Sequence, residues 1–363
     1  MKISKFCLLP FISASVSNLS SACCQYPFID EGFDFNSENF RKLRLELFRG
    51  EERTMCKRCF MNFNYRFTVD EAAEHNLANF NSETGEIVDY KISSVNLTLG
   101  NNCNRACKSC SSFASKTYGM LYENKFEDTK INPFYKEFIK KHTNEIKNVT
   151  ITGGETTFYQ DELKFLYENL QPEIEMIMFS NASFYNPLIE NFAKKFKLYL
   201  YISVDSYDKK IGYVRPLTEM SVVSETIKKY REFMDFINIS LTVSVLNILD
   251  LEETVKYIRE NFSMSPIMVK PVIYPEVYSI CNIKDSVMLD KIKTICSNIK
   301  NVEYVDGVDD LLIDRNYSED YFITNWKTQL LNDLDVKDSV LGLNKKEFIH
   351  PYMLEYLLDE RRK

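Results

Sequence analysis

The sequence predicts an α/β fold built on a parallel sheet, and three observations carry that expectation. From about residue 94, short apolar runs alternate with longer amphipathic stretches. The apolar runs are strand-sized and the amphipathic ones helix-sized. The glycines, cysteines and polar residues capable of chemistry fall just after the apolar runs, where active sites of such sheets form.

Taken in order, strands are expected over residues 94–99, 149–152, 175–180, 198–205, 238–246 and 266–274. Helical patterns lie between them at 133–142, 159–170, 187–195, 220–234 and 251–262. Strand alternating with helix argues for βα units, and this number of units is too small for a closed eight-stranded barrel. Residues before about 90 read differently. They hold five cysteines, few long apolar runs and one helical stretch, 37–49, ended by Gly50 as a C-terminal cap. After Tyr274 come a helical stretch at 285–300 and an acidic, mixed tail. The expected division is a cysteine-rich region over 1–90, the βα units over 91–280 and a mainly helical extension over 281–363.

Composition narrows the class. A chain of 363 residues with 45% hydrophobic and 27% charged residues has material for a sizeable core. A formal net charge of −7 argues against a nucleic-acid surface, which needs clustered Lys and Arg. Residues 1–21 superficially resemble a secretory leader, with Lys2 and Lys5, the apolar stretch 6–16, then Ser20-Ser21-Ala22-Cys23. Cys7, Pro10 and several serines interrupt that stretch and leave it weakly hydrophobic. No segment has the length of a membrane-spanning helix, so a cytoplasmic protein with no membrane partner is expected. Ten cysteines are too few for a disulfide scaffold and are clustered, which points to metal in a reducing compartment.

The stronger cluster is Cys103-Asn-Arg-Ala-Cys107-Lys-Ser-Cys110, directly after the first expected strand. Three cysteines fall short of the four ligands of a closed zinc site. They suit a cubane iron–sulfur cluster whose fourth iron stays open; a zinc knuckle completed from elsewhere is the alternative. The next expected strand ends in Gly153-Gly154-Glu155. C-x3-C-x2-C followed by G-G-E resembles the radical S-adenosylmethionine (radical SAM) superfamily. The resemblance implies a partial (β/α)6 TIM-like barrel with the cluster loop after its first strand. It also implies a [4Fe–4S] cluster whose open iron is chelated by the amino and carboxylate groups of SAM. Gly153, Gly154 and Glu155 would then serve the SAM amino group. Ser180, Asn181, Ser203, Asp205 and Arg215 match positions lining the SAM ribose and carboxylate, with Leu246, beside Asn247, after the fifth strand. Each of these polar residues also reads as a helix cap or turn. One departure is Ser109, where the superfamily usually places a large apolar residue near the adenine; Phe113 and Tyr118 are candidates to fill that gap.

A second cluster, Cys7, Cys23-Cys24, Cys56 and Cys59, resembles the auxiliary-cluster segment of the Twitch/SPASM group, placed here before the barrel. The segments Tyr274-Pro-Glu-Val-Tyr-Ser279 and Leu331-Asn-Asp-Leu-Asp335 resemble the same group, so the likeness spans nearly the whole chain. Cys7, Cys23, Cys56 and Cys59 would fill an auxiliary [4Fe–4S] cluster, with Cys24 as the alternative to Cys23. A structural zinc site on the same thiolates is the other reading.

The scattered His75, His142 and His350 read as surface or core residues. Cys281 and Cys296 read as small buried hydrophobes, with Cys281 alternatively a hydrogen-atom donor. The resemblance implies reductive cleavage of SAM to a 5′-deoxyadenosyl radical, which abstracts hydrogen from a peptide or small-molecule substrate, with electrons from a flavodoxin- or ferredoxin-type donor. A closed auxiliary cluster suits electron transfer and hence net oxidation. The alternatives are a redox-neutral epimerase or rearrangement enzyme and, in another class, a non-catalytic iron–sulfur or zinc scaffold. No residue selects the substrate.

Overall fold

The computed structural model describes residues 7–17, 20–21, 33–51, 70–234, 237–262, 265–309, 311 and 323–359. The strands are β1 (Ser13–Val16), β2 (Ser20–Ser21), β3 (Ser94–Thr98), β4 (Asn148–Thr152), β5 (Glu175–Ser180), β6 (Lys197–Ser203), β7 (Asn238–Val243), β8 (Ile267–Pro271) and β9 (Val305–Asp306). Their order in the sheet is β2-β1-β3-β4-β5-β6-β7-β8-β9, so from β3 onward the order in space follows the chain. The fold is an α/β fold with eight parallel strands, β2 being an antiparallel edge. All six expected strands form. Two parallel strands were not expected, β1 and β9. β1 is a Ser-Ala-Ser-Val segment without an apolar run, and β9 is two residues long. Residues 13–16 of the leader-like stretch are built into the sheet: β1 pairs with β3 in parallel, Ser13 opposite Ser94 and Val16 opposite Leu97, and all four of its residues are buried. Where a strand is shorter than expected, a side chain takes over its backbone. After β7, the Ser244 N–H donates to Asn247 Oδ1 (2.7 Å) and the chain turns out of the ladder.

The chain divides into two compact units. The first comprises Met1–Asn101, Asp128–Met178 and Pro187–Tyr199. Here β3 and β4 pair in parallel from Ser94↔Asn148 to Thr98↔Thr152, which brings their carboxyl ends level. Helices α1 (Glu38–Phe48), α2 (Glu71–Ala78), α3 (Tyr135–His142), α4 (Gln160–Asn169) and α5 (Leu188–Lys195) complete the unit. α1 starts on the Ser37 side chain, which accepts from the Phe40 N–H, and stops at Gly50 (φ +73°). There the Gly50 and Glu51 N–H groups donate back to Leu47 and Glu46, closing a Schellman end as expected. α3 buries Tyr135, Phe138, Ile139 and His142, one stripe of a helix of 3.6 residues per turn. His142 Nδ1 lies 3.0 Å from Glu145 Oε2, and the same carboxylate oxygen accepts from the Ile92 N–H.

The second unit comprises Asn102–Glu127, Phe179–Asn186 and Leu200–Lys363. Its parallel ladders run β6–β7–β8–β9. It contains α6 (Met220–Tyr230), α7 (Leu251–Asn261), α8 (Ser286–Lys300), α9 (Trp326–Leu341) and α10 (Pro351–Leu358). β7 alternates polar and apolar residues, with Ile239, Leu241 and Val243 fully buried on one face and Asn238, Ser240 and Thr242 between them. No helix among the described residues is long and apolar enough to cross a membrane.

Asn76 on α2 is fully buried and ties the start of the chain to this frame. Its amide donates to the carbonyls of Phe11 (2.6 Å) and Lys91 (2.7 Å), while its Oδ1 accepts from the Lys91 N–H (2.8 Å). Asn76→Ala removes three hydrogen bonds, one of them to the buried Phe11 carbonyl, each contributing about 1 kcal/mol. Equilibrium urea unfolding should therefore show a loss of about 3 kcal/mol.

Candidate functional site

The three-cysteine loop lies in the second unit, and backbone hydrogen bonds determine its course. The N–H of Ala106 donates to the carbonyl of Pro216 (3.4 Å) and that of Lys108 to Val214 (3.0 Å). The Cys110 N–H turns back to the Cys107 carbonyl (3.0 Å). Hydroxyls hold two further carbonyls: Thr117 donates to Cys103 and Ser115 to Arg105, both at 2.6 Å. Cys103, Cys107 and Cys110 are all half-buried and none forms a disulfide. Among the described residues, no three His, Cys, Asp or Glu side chains converge where a single ion could sit. A cubane cluster asks something different, one thiolate for each of three irons.

Burial pushes the Cys107 thiol up to about 12, although Arg215 pulls it down, and pushes Cys110 up to about 11. Without metal these are neutral thiols. They become thiolates only when a cation replaces the protons. This donor set fits iron, a soft-sulfur metal, and its supports fit it too. Asn181 Nδ2 lies 3.8 Å from Cys103 Sγ and donates to Asn104 Oδ1 (3.0 Å).

Arg215 and Asp205, named from strand-end position, form a buried ion pair at 2.7 Å. Burial disfavours the guanidinium charge, but Cys107, Asp205 and Cys103 around it push its pKa well above the ordinary arginine value. Its Nε is buried with no hydrogen-bond partner. Asp205 is itself held, since its Oδ1 accepts from the Thr242 N–H (2.8 Å). Asn247 donates to the carbonyls of Asp205 (2.6 Å) and Thr242 (2.8 Å), stitching the ends of β6 and β7 together. At the end of β7 the polar work is therefore done by Asn247, whereas Leu246 is a buried apolar side chain. Ser180 Oγ accepts from the Ala182 N–H in the turn after β5 (φ of Ala182 +50°). Ser203 ends β6 opposite Ser240.

In the first unit, Gly153 and Gly154 follow β4 at φ +95° and +51°. A Cβ on Gly153 would lie 2.7 Å from the Gly100 carbonyl oxygen and 2.9 Å from Thr98 Cγ2, so the end of β3 already demands a glycine there. Glu155 is 1% exposed, and its Oε1 accepts from the N–H (3.2 Å) and hydroxyl (2.7 Å) of Thr157, capping a 3-10 turn. Phe113 is 58% exposed, while Tyr118 is buried edge-on against Tyr122. Cys281 is half-buried in a 3-10 turn where its N–H donates to Ser279 Oγ. Cys296 is buried in α8, as expected of a small hydrophobe. Of the second cysteine cluster only Cys7, half-buried, is among the described residues; Cys23, Cys24, Cys56 and Cys59 lie outside them.

The sequence reading missed the charges behind the loop. Lys108, between Cys107 and Cys110, is fully buried and pairs with Asp338 of α9 (2.6 Å), 230 residues away. Asp338 also accepts from the Tyr213 hydroxyl (3.2 Å). A lysine inside the motif was the only signal, and its partner is invisible at that separation.

Comparisons with known proteins follow this geometry. Residues 97–258 match the family model described as the radical SAM superfamily. No curated protein matches the chain significantly. Among solved structures, the chain is similar to native anSMEcpe with bound AdoMet at 17% identity and a TM-score of 0.45, covering 61% of this chain and 62% of that one. It is also similar to Streptococcus suis SuiB bound to its precursor peptide SuiA, at 17% identity and a TM-score of 0.46, covering 70% of this chain and 58% of that one. The chain thus spans about three fifths of the length of these structures.

Lys108→Met would leave Asp338 buried without its cation, which costs about 3–5 kcal/mol. Urea unfolding of the metal-free protein should show a loss of that size, and the double variant Lys108→Met/Asp338→Asn should recover much of it.

Proposed function

Residues 97–258 match the radical SAM superfamily, and from that premise we propose that Cys103, Cys107 and Cys110 hold the SAM-binding [4Fe–4S] cluster of a substrate-modifying enzyme. The observation that carries the proposal is the loop itself. It presents three thiols on a backbone held at the Cys103, Arg105 and Cys107 carbonyls, with the Asn181 amide against the Cys103 sulfur. When bound, the cluster and SAM supply one-electron chemistry that ends in abstraction of a hydrogen atom from substrate.

The chain's own groups then divide the work. The thiols give up their protons to iron, and the Asn181 amide donates toward the Cys103 sulfur. Asp205 fixes Arg215, whose guanidinium offers its remaining N–H groups to a carboxylate such as that of SAM. The superfamily resemblance assigns Gly153, Gly154 and Glu155 to the SAM amino group, and Ser180, Ser203 and the Leu246–Asn247 turn to its ribose side. It likewise supports the division at 1–90, 91–280 and 281–363, an auxiliary [4Fe–4S] cluster on Cys7, Cys23 or Cys24, Cys56 and Cys59, and a flavodoxin- or ferredoxin-type donor. A closed auxiliary cluster favours net oxidation of a peptide or small metabolite over a redox-neutral outcome.

Anaerobic reconstitution with iron and sulfide, then dithionite and SAM, should yield 5′-deoxyadenosine. The Cys103→Ala/Cys107→Ala/Cys110→Ala variant should yield none; a colourless, zinc-loaded wild-type protein would make the chain a scaffold instead. Once a substrate is identified, turnover in deuterated water should leave the product carbon free of solvent deuterium. Deuterium there would point to epimerisation, with Cys281 or Cys24 returning the hydrogen atom.

A further inference from the structure

Behind the cysteine loop, α9 inserts a second lysine that the proposed chemistry does not use. Lys337 is 2% exposed among aromatic rings, where burial pulls its pKa down while Asp333 beside it holds the ammonium charge up. Its ammonium donates to the Lys108 carbonyl (2.9 Å), inside the loop between Cys107 and Cys110. It lies 4.9 Å from the centre of the Tyr118 ring and 5.0 Å from that of Tyr278. Its carboxylate partner is Asp333, one turn earlier on α9 (2.8 Å) and 36% exposed at its side chain. The Tyr278 hydroxyl donates to that same carboxylate. The two charges are thus unequal in position. The cation is buried against the loop at a carbonyl two residues before Cys110, while the anion sits toward solvent, where water screens it.

We propose that α9 is part of the cluster site, with Lys337 a positioning residue that holds the Cys107–Cys110 backbone and sets a buried positive charge beside the Cys110 ligand. The inference rests on the cluster assignment above. Two consequences follow from elementary electrostatics and hydrogen bonding. A cation near a cluster favours its reduced, more negative state and so raises the reduction potential. A charge-assisted hydrogen bond to the loop carbonyl resists opening of the loop.

The test compares Lys337→Met, Lys337→Arg and Asp333→Asn in the full-length protein. In EPR-monitored potentiometry of the reconstituted cluster without SAM, Lys337→Met should lower the midpoint potential and Asp333→Asn should raise it. Lys337→Arg, which keeps the charge, should stay near wild type. A role confined to packing would shift both neutralising variants in one direction or neither, and either result overturns the electrostatic part. In the metal-free protein, hydrogen exchange of the peptide covering residues 106–111 should speed up roughly tenfold in Lys337→Met, the size expected for loss of one charge-assisted bond. Unchanged exchange overturns the bracing. Should Lys337→Met fail to fold, Asp333→Asn and Lys337→Arg still decide the sign of the potential shift. A wild-type protein that takes up no cluster overturns the proposed function instead, and the exchange measurement then judges the brace by itself.

Discussion

A charge taken out of water must find a partner, and the second unit is organised around three cations that obey this constraint. Arg215 is held by Asp205, Lys108 by Asp338 and Lys337 by Asp333. Stranding any one of them inside would cost several kcal/mol. Each pair therefore acts as a fixed joint rather than an adjustable surface contact. Asp205 is in turn fixed by the Thr242 N–H, with Asn247 holding its carbonyl, so the joint extends into the ends of β6 and β7. The cysteine loop rests on these joints through Lys108, which belongs to it, and through the Lys108 carbonyl, which accepts from Lys337.

The same low-polarity surroundings explain why the loop suits a metal and not bare thiolates. Burial drives the Cys107 and Cys110 thiols upward, so as thiols they are neutral and add no charge to the interior. Iron bound to them would replace protons with a cation, and the thiolate charge would be offset where it forms. The buried Arg215 guanidinium keeps its charge through the Asp205 carboxylate.

Much of this was legible in the chain. The six expected strands were visible because each carries apolar residues in a short run or alternating with polar ones, set between helical patterns. β1 escaped notice because serine and alanine fill its buried positions, and Ser13 and Ser15 are almost wholly buried without being apolar. At the strand ends, the pairing of Asp205 with Arg215 could be suspected from position alone. Leu246 was named where Asn247 carries the contacts, because sequence order marks a turn without showing which of two neighbours faces into it. Gly153 was named from its place after a strand, and the Gly100 carbonyl gives a second reason, local to the fold, for its missing Cβ. Glu155, read as part of the same site, spends its carboxylate on Thr157.

The sequence by itself determined the donor set. Three thiols within eight residues are constrained by the short backbone between them, so their spacing carries chemical meaning without any knowledge of the fold. Only the tertiary structure decided what stands behind that loop. Lys108 and Asp338 are 230 residues apart, and Lys337 reaches the Lys108 carbonyl across 229. No local pattern encodes such a contact. Whether a lysine lies in water or in an aromatic interior depends on packing from segments far along the chain, and that packing is what turns a charged residue in a motif into a fixed support.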